Sequence, residues 1–281
     1  MFKFKQKKNK QTIVQTVQAD LMDSEQALYQ MYDKLLETIL TNTKRDSEQV
    51  GEHLRKLFFD LMRSADITKC VEIGAYEATF SRVCRNEYPN LDVIAYEANP
   101  YVFERFGENL KKGGVDYRFA CVSAENGKQT FTVPKDFRGS ERNKDNQMAS
   151  LLTNIHTDEN ETFEVDSVRL DDDINLQIDD RLALWIDVEG ACKYVFSGAD
   201  KALERAALIY IEVESRPIWE GQWLDSDVYK HLSQKGFVPI ARDTQRVHQF
   251  NYIYVNSNLL NPHKYVRAYT RYLNAEREFS A

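Results

Sequence analysis

Residues 69–78 read Lys-Cys-Val-Glu-Ile-Gly-Ala-Tyr-Glu-Ala, and residues 92–100 read Asp-Val-Ile-Ala-Tyr-Glu-Ala-Asn-Pro. Each begins as a short apolar run with β-branched residues, the signature of a strand buried in a sheet. The first run stops at Gly74, where a missing Cβ lets the backbone turn tightly and approach a ligand. The intervening stretch from Thr79 to Pro89 reads as a helix that the proline ends. A strand, a glycine turn, a helix and a second strand form a mononucleotide-binding unit, whose ligand crevice lies at the carboxyl edge of the sheet. The turn is not Gly-x-Gly-x-x-Gly, because position 72 is Glu and position 76 is Tyr, so the pyrophosphate cradle of a dinucleotide fold is missing. Glu97 ends the second strand, 25 positions after Glu72. An acid about 20 residues past such a turn accepts both hydroxyls of a ribose. The other reading of Glu97 is a surface acid that caps the next helix.

Downstream, the alternation continues. The stretch starting at Pro100 is helical, with proline at its first position and Gly113-Gly114 as its stop, and Val115–Ser123 reads as a strand. A turn at Glu125-Asn126-Gly127 leads to Gln129–Pro134 as an expected hairpin. Residues 135–160 are polar and irregular, long enough for a functional loop over a site. Strands are expected at Phe163–Leu170, Leu182–Glu189 and Ala207–Glu214, helices at Cys192–Ala206 and Ser226–Gly236, and a last antiparallel hairpin at Phe237–Asp243 and Asn251–Ser257. The pattern predicts a mostly parallel sheet covered on both faces, with that hairpin at one edge. Residues 1–65 form a predicted helical N-terminal extension ahead of a domain spanning 66–281. Leu21, Leu28, Met31, Leu35 and Leu36 recur at helical spacing, as do Val50, Leu54, Leu57, Phe58 and Leu61. Residues 11–65 are suited to covering the domain, forming a homo-oligomer or recruiting a protein partner.

Composition narrows the class. A net charge of −7 over 281 residues argues against nucleic acid as a partner. Only the first ten residues are basic, and they read as a solvated tail. No stretch approaches the roughly 18 apolar residues of a membrane span, and no signal-peptide core follows the basic start. Four widely spaced cysteines form no Cys-x-x-Cys pair and suggest neither a zinc site nor a disulfide framework. A reducing, cytoplasmic compartment fits this usage.

The motifs together resemble the FkbM family of methyltransferases over approximately residues 69–256. Residues 71–81 resemble the family's first motif and residues 94–100 its second. Residues 121–131 resemble its short strand-turn-strand, residues 165–172 its Leu-Asp-Asp segment, 184–203 its best-marked stretch, and 209–215 its next strand. The usual second glycine of motif one is Ala78, and the lysine that often precedes the fourth-strand aspartate is Trp185. The resemblance implies a Rossmann-like class I methyltransferase fold with a seven-stranded sheet. It also implies methyl transfer from S-adenosyl-L-methionine to a hydroxyl of a small molecule, often a sugar or glycan precursor. On the matching positions, Glu72, Gly74, Ala75, Tyr76, Ser81, Glu97, Ala98, Asn99, Ser123 and Asp187 would meet the cofactor.

Methyl transfer to a hydroxyl benefits from a base that takes the proton as the bond forms. Asp187 and Glu189 end the fourth long strand, and alternation puts both on one face. Asp187 is the first choice for the base or for orienting the acceptor; Glu189 is a second candidate or a cap for the helix near Ala191. His248, in the final hairpin, is a third candidate for the base. Glu212 and Glu214, with Asp187, make a carboxylate set suited to a magnesium ion (Mg2+) or to plain solvation. Asp171–Asp173 reads as a polar turn. Trp219 and Trp223 either stack on a sugar face or fasten their segment to the core. Two other classes stay open: a nicotinamide-dependent oxidoreductase, which the missing glycine motif disfavours, and a non-catalytic scaffold docking through the N-terminal helices.

Overall fold

A computed structural model describes residues 47–243, 246–259 and 262–278. The expected helix within 11–40 and the basic start lie outside the described residues. The first described element is helix α1 (Ser47–Ser64). Its Val50, Leu54, Leu57, Phe58 and Leu61, at spacings of three and four, are all buried, so the apolar stripe read from sequence is the face that packs.

Strand β1 (Lys69–Ile73), helix α2 (Thr79–Glu87), strand β2 (Asp92–Glu97), helix α3 (Pro100–Lys112) and strand β3 (Asp116–Phe119) follow in the predicted order. Next come β4 (Cys121–Val122), β5 (Gly127–Pro134), the two-residue strands β6 (Asp136–Phe137) and β7 (Ser140–Glu141), and β8 (Asn160–Val168). The second half runs α4 (Leu170–Asp173), β9 (Leu182–Ile186), α5 (Cys192–Ser197), α6 (Asp200–Arg205), β10 (Ala206–Glu214), α7 (Asp225–Gln234), β11 (Phe237–Arg242), β12 (Gln249–Asn256) and α8 (Pro262–Glu278).

The main sheet has seven strands in the order β11-β12-β10-β9-β1-β2-β3. Neighbours from β10 to β3 pair in parallel, whereas β12 is antiparallel to both β10 and β11. This is the seven-stranded Rossmann-like sheet with a terminal antiparallel hairpin that the resemblance implies. Strand order reverses beside β1: β2 and β3 extend one way, β9 and β10 the other. Open α/β sheets bind ligands at such a switch point. Register makes the edge level there, because Ile73 pairs with both Tyr96 and Ile186, and Ile186 with Ile211. Gly74, Glu97, Asp187 and Glu212 are therefore each the residue at, or one step past, the same level of the carboxyl edge.

Three expectations are corrected. Val115–Ser123 is not one strand: it breaks at Ala120, and β4 leaves the main sheet for a small one of order β4-β8-β5. The expected β4–β5 hairpin is replaced by pairing of both strands with β8, from Gly127↔Ser167 to Pro134↔Asn160 on the β5 side. The helix expected over 192–206 is two short helices separated at Gly198-Ala199. Beyond the expected hairpin, where no element was expected, Pro262–Glu278 forms α8. Its Tyr265, Ala268, Tyr269 and Tyr272 are buried at one-face spacing.

Helices α1 and α8 cover one face of the sheet and share its core. Phe58 is fully buried, its ring centroid 5.7 Å from Tyr210, 5.8 Å from Phe80 and 5.9 Å from Trp185. Trp185 in turn stacks on Tyr210 at 3.7 Å. Trp185 thus serves an aromatic layer directly beneath the tips of β9 and β10. Removing the Phe58 ring leaves a cavity that this layer cannot refill. Phe58→Ala is expected to cost about 3–5 kcal/mol in urea unfolding; a loss under about 1 kcal/mol would show that α1 is not part of the core.

Candidate active site

The turn after β1 runs through three residues with positive φ: Gly74 at 78°, Tyr76 at 48° and Ala78 at 53°. Gly74 is required twice over. Its φ favours glycine, and a Cβ built there would lie 1.7 Å from the carbonyl oxygen of Asp187. The β1 and β9 tips are therefore in backbone contact, and the Asp187 amide donates to the Ile73 carbonyl at 2.9 Å. Ala78 takes a left-handed backbone that a glycine would adopt without strain.

A cavity of about 880 Å³ opens along this edge. One wall carries Gly74, Tyr76, Glu97, Ala98 and Asn99; the other carries Asp187, Glu189, Glu212, Trp219, Arg246 and Gln249. The polar stretch after β5 forms the roof through Phe137 and Glu141–Ala149, the position expected for residues 135–160. The roof is tied down at α3: Asn99 Nδ2 donates to the Lys144 carbonyl at 3.0 Å, and Arg105 pairs with Asp145.

Glu97 is 7% exposed. One carboxylate oxygen accepts the Tyr76 amide at 2.8 Å and the other the Asn99 amide at 2.6 Å. Each oxygen retains a lone pair for a further donor. Burial pushes the Glu97 carboxyl up to about 7, against the pull of those amides. Asn99 caps α3, its side chain accepting the Tyr101 amide. Asn99, and not Glu97, is thus the side chain that caps this helix.

Not every expected cofactor residue reaches the cavity. Glu72, Ala75, Ser81 and Ser123 are absent from its walls. Glu72 instead accepts the Ser81 and Phe80 amides, at 2.8 and 3.4 Å, and anchors the start of α2. The Ser123 amide donates to the Val168 carbonyl and holds β4 to β8. His248 also lies off the walls, its Nδ1 3.3 Å from the Ser215 hydroxyl.

The β9 tip turns back through Glu189 (φ 49°) and Gly190 (φ 81°), with the Ala191 amide on the Val188 carbonyl. Glu189 does not cap α5, which has no side-chain cap. Asp187, Glu189 and Glu212 each bring an oxygen within 4.8 Å of the other two. Burial raises all three carboxyls, Asp187 to about 6 and the others well above the usual range. The Arg246 guanidinium opposes that rise.

The magnesium set expected from sequence is not the one assembled. Glu214 is held by amide donors from Gln222 at 2.8 Å and Gln249 at 3.4 Å, and Glu189 takes its place in the cluster. A guanidinium facing the same carboxylates is a poor companion for a divalent cation, so the residues present do not fit a resident magnesium ion. Asp171 accepts the amides of Lys201 and Ala202, and Asp173 bonds Tyr96 and Arg118, so the acidic triplet is structural.

Trp219 is 2% exposed and packs over Gly190, where an added Cβ would lie 2.9 Å from its ring. It both fastens its segment and lines the cavity. Trp223 packs on Phe196 and His231, away from the walls. Arg246, Gln249 and Gln222 escaped the sequence reading. Only the antiparallel register of β12, which sets Gln249 opposite Glu214, places Gln249 at the cluster.

A model of the methyltransferase FkbM domain matches residues 71–239. The chain belongs to the FkbM methyltransferase family. Among known proteins it is similar to the 2-O-methyltransferase NoeI of Sinorhizobium fredii (strain NBRC 101917 / NGR234), at 24% identity over 211 residues, 67% of this chain and 84% of that one. Two solved structures also align. They are a precorrin-6y C5,15-methyltransferase from Geobacter metallireducens GS-15 (TM-score 0.37, 16% identity, 76% and 92% of the two chains) and an S-adenosylmethionine-dependent methyltransferase from Clostridium acetobutylicum ATCC 824 (0.38, 8%, 82% and 98%). This FkbM member is an S-adenosylmethionine-dependent methyltransferase. No helix among its described residues is long and apolar enough to cross a membrane.

The buried acids set a pH dependence. Glu72, Glu97 and Glu214 sit near 7 and Asp187 near 6 in the fold, against ordinary carboxylate values when unfolded. A raised carboxyl binds more protons folded than unfolded, so stability falls as pH rises through the interval between the two values, by up to about 1.4 kcal/mol per pH unit for each group. The ligand-free protein is expected to melt at a lower temperature at pH 8 than at pH 5.5. A higher melting temperature at pH 8 would contradict the raised values.

Proposed function

We propose that this chain transfers a methyl group from S-adenosyl-L-methionine to a hydroxyl of a small, carbohydrate-like acceptor. The observation that carries the reading is one cavity holding Glu97 on one wall and the carboxylate of Asp187 on the other, bridged by the Gly74 turn. The cofactor's part is to present a methyl on a sulfonium, an electrophile that needs only a correctly aligned oxygen. Glu97 takes the ribose hydroxyls with its remaining lone pairs, and the Gly74–Tyr76 turn lets the ligand approach the backbone closely. Asn99 and the roof it holds close the adenosine side.

On the acceptor side, Asp187 accepts the hydroxyl proton as the new carbon–oxygen bond forms and the carbon–sulfur bond breaks. Its raised value, about 6, still leaves it ionised at neutral pH and makes it a stronger base than an exposed aspartate. Glu189 accepts a neighbouring hydroxyl, and the indole of Trp219 offers an apolar face to a sugar ring. The name of the relative NoeI, a 2-O-methyltransferase, supports oxygen as the receiving atom.

The test is transfer of label from methyl-labelled cofactor to a panel of glycosides and polyols. A product label that resists mild base, as an ether does, is expected. Asp187→Asn should lower turnover by about 100-fold or more while affinity for S-adenosylhomocysteine changes little. Equal loss of turnover and cofactor affinity, or label only on amines, would overturn the reading.

A further inference from the structure

The carboxylate cluster is closed on its solvent side by two residues of the β11–β12 connection and β12. Gln249 is 7% exposed and stands opposite Glu214 in the antiparallel register. Its Oε1 accepts from Arg246 Nη1. Arginine has no acceptor, so this contact decides which way the amide points: Nε2 must face the carboxylates. From there it donates to Glu212 Oε1 at 2.8 Å and Glu214 Oε1 at 3.4 Å. Gln222 anchors the far side of the same chain, with Nε2 on Glu214 and Oε1 on the Trp219 amide. Glu212 is thereby held by one oxygen, and it brings an oxygen within 4.8 Å of an Asp187 oxygen. Two carboxyls this close in a buried site cannot both be ionised without cost.

We propose that Gln249, gripped by Arg246, is the positioning residue that turns Glu212 onto Asp187, so that the two carboxyls keep one proton between them and accept the acceptor's proton as a pair. This rests on the reading of Asp187 as the base. The step balances within the pair: it carries one proton before transfer and two after, and it returns the second to water once the product leaves. The groups facing Glu212 are Asp187 and Glu189 from the β9 tip, Glu214 from its own strand and Arg246 from the loop before β12. Arg246 and the retained proton do for this cluster what a bound cation would otherwise do.

The test is carbon-13 NMR titration of the side-chain carboxyls of the whole, ligand-free chain, with Asp187 and Glu212 assigned through Asp187→Asn and Glu212→Gln. It needs neither cofactor nor acceptor, so its outcome is separate from that of the methyl-transfer assay. In the unaltered protein both carbons should show the same two titration steps. Gln249→Met, close in shape but without the donor, should move the shared steps up by about one pH unit and weaken their coupling, since a lost donor to a carboxylate favours the protonated form. Affinity for S-adenosylhomocysteine should stay within about twofold of the unaltered value. Arg246→Met, at an exposed position, should shift the steps in the same direction and serves if Gln249→Met does not fold. Unchanged titration in these variants overturns the proposal. So do independent single steps in the unaltered protein, or loss of the shared steps on adding excess magnesium chloride.

Discussion

The site depends on the register of four parallel strands. Tyr96, Ile73, Ile186 and Ile211 lie side by side in β2, β1, β9 and β10, and the residues just beyond them form the working edge. A one-residue slip of β9 would send Asp187 to the opposite face and lift Gly74 off its carbonyl. Gly74 prevents that slip locally, since its turn leaves room only for the Asp187 backbone where a side chain would stand. The Glu97 wall of the cavity and Asp187 are thus built by one constraint rather than by two separate devices.

The surroundings serve that edge. Below it, the layer of Phe58, Trp185, Tyr210 and Phe80 excludes water from the side on which Asp187 and Glu212 project. Above it, the roof from β6 to Ala149 limits access and is anchored at the start of α3. The carboxylates sit between an apolar floor and a narrow cavity, and their raised proton affinities follow from that placement. Arg246 and the two glutamines keep the cluster from repelling itself.

Much of this was legible in residues 69–100 and 182–214. Strand runs, the glycine stop and carboxylates at strand tips are local signals, and local signals survive in a single sequence. The α1 stripe was equally plain. What escaped was non-local. The pairing of β5 with β8 spans roughly forty residues and left no mark in the turn at Glu125–Gly127, which looks like a hairpin. Gln249 reads as an ordinary polar residue until β12 is laid antiparallel to β10. Glu72 and Ser81 fall among the expected cofactor residues by motif position alone, but they lie off the cavity walls, where the Glu72 carboxylate turns inward to the first amides of α2. The helix α8 was visible as Tyr265, Ala268, Tyr269 and Tyr272 and needed only its 3.6-residue period to be counted.

The most direct test of the account is a crystal structure with S-adenosylhomocysteine bound. The account predicts the ribose hydroxyls on the Glu97 carboxylate, the chain over Gly74, and the sulfur turned toward Asp187 and Trp219. A ligand seated elsewhere, or one whose sulfur points away from Asp187, would contradict it.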